Sequence, residues 1–345
     1  MTQTGYLFIN LGTPDTPAVA DVRRYLGQFL MDPYVLDVPA ALRWMIVNGF
    51  ILPFRPRRSA EAYAAIWEPD GSPLLLHCQA LVDAMHTRLD APAALGMRYG
   101  QPAIADAVAE LVDAGVQRIV TVPLYPHYAD STVTTSIAET RRAVPSDVEV
   151  HVLPPFYEHP LYIQALLDVT QTALPNDWDH LLMSYHGLPE RHLRKADPTR
   201  QHCLQQAECC KQPSTAHATC YRHQVYATSN ALAQALGIPA ERYTVSFQSR
   251  LGSGWMQPFT DQLLAQLPTR GVRRLAVVCP AFVADNLETL EEMNIQGRAT
   301  FLQAGGEHFE LIPCLNTAPA WLDALTTLLQ SFTAQLDTTV AAANP

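Results

Sequence analysis

The sequence lacks the features of a nucleic-acid-binding protein and of a membrane-spanning one. Its 23 Lys and Arg residues are outnumbered by 33 Asp and Glu residues, giving a formal net charge of -10. Because nucleic-acid binding needs a basic surface to meet the phosphates, nucleic acid is not an expected partner. The most apolar stretch, residues 34–54, is interrupted by charged residues and prolines and makes a poor transmembrane span.

The amino-terminal segment has no feature of a secretory leader. Residues 1–5 contain no basic residue ahead of the apolar segment Tyr6–Ile9, so no export signal is expected. We therefore expect a cytoplasmic protein without disulfides. The apolar region at 30–55 is expected to form either a surface lip, in peripheral contact with a membrane or an apolar ligand, or a half-buried helical hairpin.

Strands alternate with helices along the chain, and the pattern is repeated. The apolar segment Tyr6–Leu11 runs into a Gly-x-Pro sequence, as does Leu181–His186. Further on, Gly115–Pro123 is echoed by Gly271–Pro280, and a helical pattern precedes each copy. Alternation of this kind predicts βαβ units with mainly parallel sheets.

The repeat predicts an α/β protein of two Rossmann-like lobes, related by internal duplication, with a ligand cleft between them. Each lobe is expected to hold a parallel sheet flanked by helices. The first lobe is predicted at 1–165 and the second at 166–330, with a cysteine-rich insertion at about 200–222 and a tail at 331–345.

Polar residues follow two of the predicted strands. His186 ends the strand Leu181–His186, and in the repeat Leu11 occupies the equivalent position. Open α/β sheets bind ligands at the carboxyl ends of their strands. An imidazole at such an end suits a general base near neutral pH, although a histidine that is simply satisfied within a turn is the alternative.

An acidic segment follows the strand that ends at Pro280. On an α-helix beginning near Asp285, the carboxylates of Asp285, Glu288 and Glu292 would lie on one face. Stacked carboxylates repel, so a bound cation or shared protons would make this face stable. The alternative is a solvated acidic first turn, which the helix dipole favours.

At these residues the chain resembles the ferrochelatases, which insert ferrous iron into a porphyrin. Ser184-Tyr-His-Gly-Leu-Pro-Glu190 and Pro280–Glu292 are similar to signatures of that family. Five further segments match in the same order along the chain: Asn10–Pro14, Gly71–Leu74, Gly96–Gly100, Leu124–Val133 and Ser246–Gly252 with Trp255.

The resemblance implies a chelatase-type fold and assigns roles to individual residues. His186 and Glu288 would remove the pyrrole protons and handle the iron, with Asp285 and Glu292 continuing an acidic path. Asn286 and Gln296 depart from the pattern, since some relatives have His and an acidic residue there. Porphyrin contacts would come from Leu11, Arg58, Ser72, Arg98, Tyr125, Trp255 and Phe282.

The implied reaction is the terminal step of haem biosynthesis, from protoporphyrin IX and ferrous iron to protohaem. Coproporphyrin III is the less favoured substrate, because the apolar region at 30–55 suits an apolar porphyrin. Two other functions stay open: a cobalt-inserting tetrapyrrole chelatase and a haem-binding carrier without catalysis. A carrier would need no base, so the presence of both His186 and Glu288 argues against it.

Four cysteines form a separate group in a polar segment: Cys203, Cys209, Cys210 and Cys220, spaced C-x5-C-C-x9-C. Four thiolates are the right number for a [2Fe–2S] cluster. Certain bacterial ferrochelatases carry such a cluster in this region. Zinc with help from neighbouring histidines is one alternative, and a loop of free thiols is the other.

Overall fold

The computed structural model describes residues 3–250 and 252–343, which form two compact units. The first unit holds the described residues of 1–124, 131–154 and 317–345. The second holds 125–130 and 155–316.

Among the described residues, each unit builds one four-stranded parallel sheet. The strand order is β2-β1-β3-β4 in the first unit and β6-β5-β7-β8 in the second. Because the two orders correspond strand for strand, the predicted duplication of a parallel α/β unit is confirmed. The strands are β1 (Thr4–Gly12), β2 (Ala93–Tyr99), β3 (Arg118–Pro123), β4 (Glu149–Val152), β5 (His180–His186), β6 (Tyr243–Gln248), β7 (Arg274–Val278) and β8 (His308–Leu311).

Helices cover the faces of both sheets. The α-helices are α1 (Val19–Leu30), α2 (Ala40–Met45), α3 (Arg55–Ile66), α4 (Pro73–Leu89), α5 (Ile104–Asp113), α6 (Thr135–Ala143), α7 (Pro160–Ala173), α8 (Glu190–Ala196), α9 (Tyr221–Leu236), α10 (Thr260–Gln266), α11 (Arg298–Gln303) and α12 (Pro319–Ala343). Stretches of π-helix span Ile46–Ile51, Asp130–Thr134 and Glu288–Gly297.

The central strands are buried on both faces. In β1 the side chains of Leu7, Phe8 and Ile9 are fully buried, and in β5 so are those of Leu181–Met183. A parallel sheet covered by helices on both sides needs such continuous apolar runs, and these runs made both strands recognisable in the sequence. Sheet register places the carboxyl ends of β5 and β6 side by side, with His186 opposite Gln248.

The carboxyl-terminal helix packs on the first unit. From the sequence, residues up to 330 are predicted to belong to the second lobe and 331–345 to form a tail. In the structure α12 runs through both ranges and belongs to the first unit. Its Trp321 is fully buried, and the hydroxyl of Tyr6 lies 3.0 Å from Thr333 Oγ1. Apolar burial and this bond join the helix to β1, which is distant in sequence.

The apolar region after α1 forms a helical segment with outward-facing side chains. Trp44 is 61% exposed, Phe50 66% and Phe54 77%. We call α2, the π-helix Ile46–Ile51 and the turn to Phe54 the apolar lip. No helix among the described residues is both long enough and apolar enough to cross a membrane.

Candidate active site

His186 ends β5 with one ring nitrogen already engaged. Its Nδ1 lies 2.7 Å from the carbonyl oxygen of Gly187. Because a carbonyl can only accept, Nδ1 must carry the proton in this contact. In the neutral ring Nε2 then holds the lone pair, so the imidazole presents a proton acceptor at the carboxyl end of the strand.

Gly187 allows this strand end to pack closely. Its amide donates to the carbonyl of Gln248 at 2.8 Å. A Cβ at position 187 would lie 2.9 Å from that carbonyl oxygen and 3.5 Å from Trp255 Cε3. Trp255, predicted to contact porphyrin, therefore lies against the turn that carries His186.

The structure corrects the predicted position of Asp285. The helix begins after Asn286, whose side chain accepts from the Thr289 amide at 3.1 Å, so Asp285 precedes it. The carboxylate is buried and accepts from Thr289 Oγ1 at 2.9 Å and from Asn316 Nδ2 at 2.7 Å. Asp285 thus connects the segment after β7 to Asn316, at the end of the second unit. It does not lie on the helix face that carries Glu288 and Glu292.

Glu288 and Glu292 lie on the π-helix Glu288–Gly297. A π-helix has more residues per turn than an α-helix, so residues four apart stay on nearly one face. The charges of Glu288 and His186 both act on the carboxyl group of Glu292, so the three groups lie within electrostatic range of one another. Of the predicted catalytic and acidic residues, the fold therefore brings together His186, Glu288 and Glu292.

The carboxyl group of Glu292 is held by Ser249. One oxygen accepts from the Ser249 amide at 2.8 Å and the other from its hydroxyl. Burial raises the pKa of Glu292, and the negative charge of Glu288 raises it further. The hydrogen bonds from Ser249 and the charge of His186 act in the opposite direction and lower that pKa. Ser249 has φ of 63°, a strained conformation for serine that persists where surrounding contacts enforce it.

Gln248 connects the base strand to the acidic helix, a role that sequence reasoning missed. Its Nε2 donates to the Glu288 carbonyl at 3.1 Å, and its Oε1 accepts from Ser184 Oγ at 2.6 Å. Gln248 and Ser249 both lie in the segment Ser246–Gly252, which resembled the family. That resemblance was the available signal, but the partners of the two side chains were not readable from it.

A cavity of about 400 Å³ lies beside the second half of the π-helix. Glu292 and Gln296 both line it, together with Asp261 and Arg250. Arg250 Nη2 donates to Asp261 at 2.8 Å, and Gln296 Nε2 to Glu291 at 2.7 Å. Glu292 therefore contacts the polar cavity and is also within electrostatic range of Glu288 and His186.

Four predicted porphyrin contacts belong to the first unit. Leu11 is half-buried near the end of β1, and its amide donates to Asn10 Oδ1 at 2.8 Å. Ser72 is buried and accepts from Thr13 Oγ1 at 2.9 Å. Arg58 is exposed on α3.

Arg98, the fourth, takes part in a buried ion pair. Its Nη2 donates to Asp32 at 2.6 Å and its Nε to Thr135 Oγ1 at 2.7 Å. The hydroxyls of Tyr99 and Thr135 donate to the same Asp32 oxygen at 2.8 and 2.6 Å. The other oxygen accepts from the Tyr34 amide at 2.7 Å, so Asp32 anchors the chain leading to the apolar lip.

The two remaining aromatic candidates lie in the second unit. Tyr125 is buried, and Phe282 is half-buried against the apolar core beside β7. Both positions suit packing residues as well as a ligand contact.

The fold gathers the four predicted thiols. Cys203, Cys209 and Cys220 are buried and Cys210 is half-buried. Cys220 is within hydrogen-bond distance of both Cys210 and Cys203. The hydrogen bond from Cys210 lowers the pKa of Cys220 to about 6. The same bond raises the pKa of Cys210, the donor. Burial raises the pKa of Cys203.

Three histidine side chains form hydrogen bonds to the backbone carbonyls of Cys209 and Cys210. The Nε2 atoms of His202 and His217 lie 2.8 and 3.2 Å from the carbonyl oxygen of Cys209. His223 Nδ1 lies 2.9 Å from that of Cys210. The histidines flanking the cysteines thus bond to carbonyl groups, and no three His, Cys, Asp or Glu side chains in the described residues are arranged around a single metal ion.

Comparison with known structures places the fold among the chelatases. SirB from Bacillus subtilis with Fe3+ superposes with a TM-score of 0.56, covering 98% of both chains at 12% identity. A sirohydrochlorin chelatase SirB from Bacillus subtilis subspecies spizizenii in complex with cobalt gives 0.53 at 9% identity, covering 95% of this chain and 94% of the other. At these identities the likeness establishes the fold alone.

Sequence comparison is more specific. The ferrochelatase of Azotobacter vinelandii is 49% identical over 337 residues, which cover 96% of this chain and 99% of that protein. The ferrochelatase of Pseudomonas aeruginosa is 48% identical over 330 residues, covering 94% and 97%. The ferrochelatase family model matches residues 3–332. The chain that carries His186, Glu288 and Glu292 therefore belongs to the ferrochelatase family.

Proposed function

We propose that this protein inserts ferrous iron into protoporphyrin IX, with His186 and Glu288 accepting the two pyrrole protons. The observation that carries the proposal is the Nδ1–H bond from His186 to the Gly187 carbonyl, which leaves Nε2 as acceptor. Metallation releases two protons as the metal takes their place on the nitrogens. A base fixed at a strand end, within electrostatic range of carboxylates, suits that exchange.

Glu292 is the next group along the acidic path. Its raised pKa, caused first by burial, suits a carboxyl group that holds a proton for part of the cycle. Since it lies beside Glu288 and also lines the polar cavity, it can pass protons away from His186 or receive hydrated ferrous iron through oxygen contacts. Asp285 has no part in this path. Its buried carboxylate precedes the π-helix and bonds Thr289 and Asn316, and Asp285 does not line the cavity that Glu292 lines.

Anaerobic haem formation, followed by the porphyrin spectrum, tests the assignment. His186→Ala should reduce turnover by about 10²- to 10⁴-fold. His180→Gln is the matched control, because His180 begins the same strand and bonds Thr244 at 2.9 Å. Turnover that survives His186→Ala would remove the imidazole from the mechanism, and haem binding without turnover would favour a carrier.

The substrate is protoporphyrin IX in preference to coproporphyrin III. The exposed apolar side chains of the lip support this choice, because coproporphyrin carries two more carboxylates, which apolar surface does not solvate. Measuring kcat/KM for both porphyrins decides it. A ratio favouring coproporphyrin would overturn the assignment.

The apolar lip also makes peripheral contact with a membrane surface. Trp44, Phe50 and Phe54 are exposed, and the exposed Arg57 and Arg58 lie in the first turn of α3, which follows the lip. Aromatic side chains next to arginines suit an interface with anionic lipid. Cosedimentation with phosphatidylglycerol-containing vesicles should fall for Phe50→Ser/Phe54→Ser, while Val19→Ser, an exposed apolar residue outside the lip, should bind as the native protein does. Equal binding by all three would contradict the proposal.

The four-cysteine segment holds a [2Fe–2S] cluster. The donor set fits: four thiols lie together, mostly buried, and the Leu204 amide points to Cys209 Sγ at 3.4 Å. Amide bonds to sulfur are among the factors that set the potential of such a cluster. When bound, it would supply a one-electron redox centre. The histidines bond to backbone carbonyls, which argues against a mixed Cys/His zinc site.

The cluster proposal is tested by composition and spectra. Protein purified without oxygen should contain iron and acid-labile sulfide in equal amounts, and show visible absorbance that Cys210→Ser removes. Cys78→Ser is the control, since that buried thiol is bonded to Asn10 outside the segment. Stoichiometric zinc, or neither metal, would overturn the proposal.

A further inference from the structure

We propose that Tyr221 is a positioning residue that couples the cysteine segment, residues 203–220, to His186. The proposal extends the function proposed above, and its part concerning the cysteines rests on the role assigned to them. It identifies one hydroxyl group as the connection between two parts of the second unit that the sequence keeps 35 residues apart.

The first observation is at the backbone of His186. The ladder between β5 and β7 ends at Met183, so the carbonyl of His186 has no strand partner on that side. Its oxygen instead accepts from the hydroxyl of Tyr221 at 3.0 Å. With Gly187 held by Gln248 on the other side, this bond completes the fixation of the turn that orients the imidazole.

The second observation is at the start of α9. Tyr221 is its first residue, and Cys220 is the cap, whose carbonyl accepts from the Gln224 amide at 3.1 Å. Gln224 also donates to the carbonyls of His217 and Ala218 at 3.1 and 3.0 Å. The first turn of α9 is therefore built onto the end of the cysteine segment, and a shift of Cys220 would move Tyr221 with it.

The buried setting leaves Tyr221 little freedom. Its side chain is buried, and its ring lies edge-on to that of His127, with centroids 5.8 Å apart. A phenol held in such a place transmits a displacement of its backbone to its hydroxyl. A change that fixes Cys220 in place therefore strengthens the hydrogen bond from Tyr221 to the His186 carbonyl. A change that releases Cys220 weakens that bond.

Tyr221→Phe removes the hydroxyl and keeps the ring. We expect kcat to fall about three- to tenfold, the range of one hydrogen bond, with KM for porphyrin unchanged. Ser229→Ala is the matched control, because Ser229 lies on the same helix and bonds Tyr185, the neighbour of His186, at 2.8 Å through its side chain. A native kcat in Tyr221→Phe, or an equal fall in both variants, would overturn the positioning role.

Coupling is tested by combining Tyr221→Phe with Cys220→Ser. Cys220→Ser should lower kcat in the native background and have no further effect in Tyr221→Phe. Hydrogen exchange of peptide 182–188 gives a readout independent of activity: exchange should quicken in each single variant and be no faster in the double variant. If Cys220→Ser changed kcat by the same factor in the native protein and in Tyr221→Phe, the coupling would be overturned. The same holds if it changed the exchange rate of peptide 182–188 equally in both.

The two proposals fail in different ways. Absence of iron and sulfide from the purified protein would remove the cluster, while the kcat and exchange measurements still decide whether Tyr221 positions His186. Conversely, a cluster present in full with additive Cys220→Ser and Tyr221→Phe effects would keep the cofactor and overturn the coupling.

Discussion

The Nδ1 atom of His186 lies 2.7 Å from the carbonyl oxygen of Gly187, the residue that follows it. This bond fixes the tautomer and turns Nε2 into the acceptor, so the chemistry of the ring is set by its own backbone. The arrangement requires a turn tight enough to bring that carbonyl under the ring. Gly187 meets this requirement because it lets the chain pass close to Gln248.

Gly187→Ala should therefore impair both folding and turnover. The added Cβ would lie 2.9 Å from the Gln248 carbonyl oxygen, a backbone atom that cannot rotate away. We expect the protein to lose about 1–3 kcal/mol of unfolding free energy, and kcat to fall as the imidazole moves. Urea unfolding and anaerobic haem formation measure the two effects. Gly49→Ala is the control, since a Cβ there meets nothing within 4 Å, and a similar loss in both variants would contradict the explanation.

Glu292 should make the protein less stable as pH rises through its titration range. Burial raises the pKa of Glu292 in the folded state, so above about pH 4.3 the unfolded chain releases this proton first and unfolding becomes easier. Glu292→Gln cannot ionise and should show a higher Tm than the native protein above that range. Calorimetry between pH 4.5 and 8 checks the prediction, with exposed Glu307→Gln as control; parallel curves for native protein and Glu292→Gln would refute it.

His127 should make the protein sensitive to acid. Burial lowers the pKa of His127 to about 3; its Nε2 is bonded to Thr228 at 2.9 Å, and its buried Nδ1 has no partner among the described residues. As pH falls below about 6.5, the unfolded chain takes up a proton that the folded chain excludes, so stability is lost. At pH 5 the loss from this group is on the order of 2 kcal/mol.

The measurement for His127 is urea unfolding of the native protein and His127→Gln between pH 5 and 7.5. The variant should lose less stability on acidification, because it has no imidazole to protonate. Exposed His86→Gln should follow the native curve. Native and His127→Gln curves of the same slope would show that another group carries the acid sensitivity.

Asp32→Ala should destabilise the first unit strongly. Removing the carboxylate leaves Arg98 without its buried partner at 2.6 Å, and breaking one side of such a pair costs about 3–5 kcal/mol. Asp15→Ala removes a partner of Arg24 in an exposed pair and should cost less than about 1 kcal/mol. Urea unfolding of both variants at pH 7 gives the comparison, and equal costs would mean that the Arg98 pair does not stabilise the fold.

The sequence by itself determined the parts of this protein that depend on local pattern. The apolar runs of β1 and β5 predicted buried parallel strands, and their repeat predicted two equivalent sheets. His186 was identified because it follows such a strand directly. These features can be predicted because a buried strand, and the residue at its end, are recognisable from a run of consecutive residues.

Tertiary structure decided which polar groups meet. Asp285 and Glu292 looked equivalent in sequence, but Asn316, far along the chain, bonds Asp285. Ser249 bonds Glu292, which is also within electrostatic range of His186. The π-helix also escaped prediction, because the spacing of the acidic residues fits an α-helix equally well.

The same limit applies to Tyr221 and Gln248, whose side chains support the base and the acidic helix. Nothing local distinguishes a phenol that bonds a distant carbonyl from one that only packs. The partner of a polar side chain depends on which strands and helices become neighbours, and that is fixed only when the sheet forms.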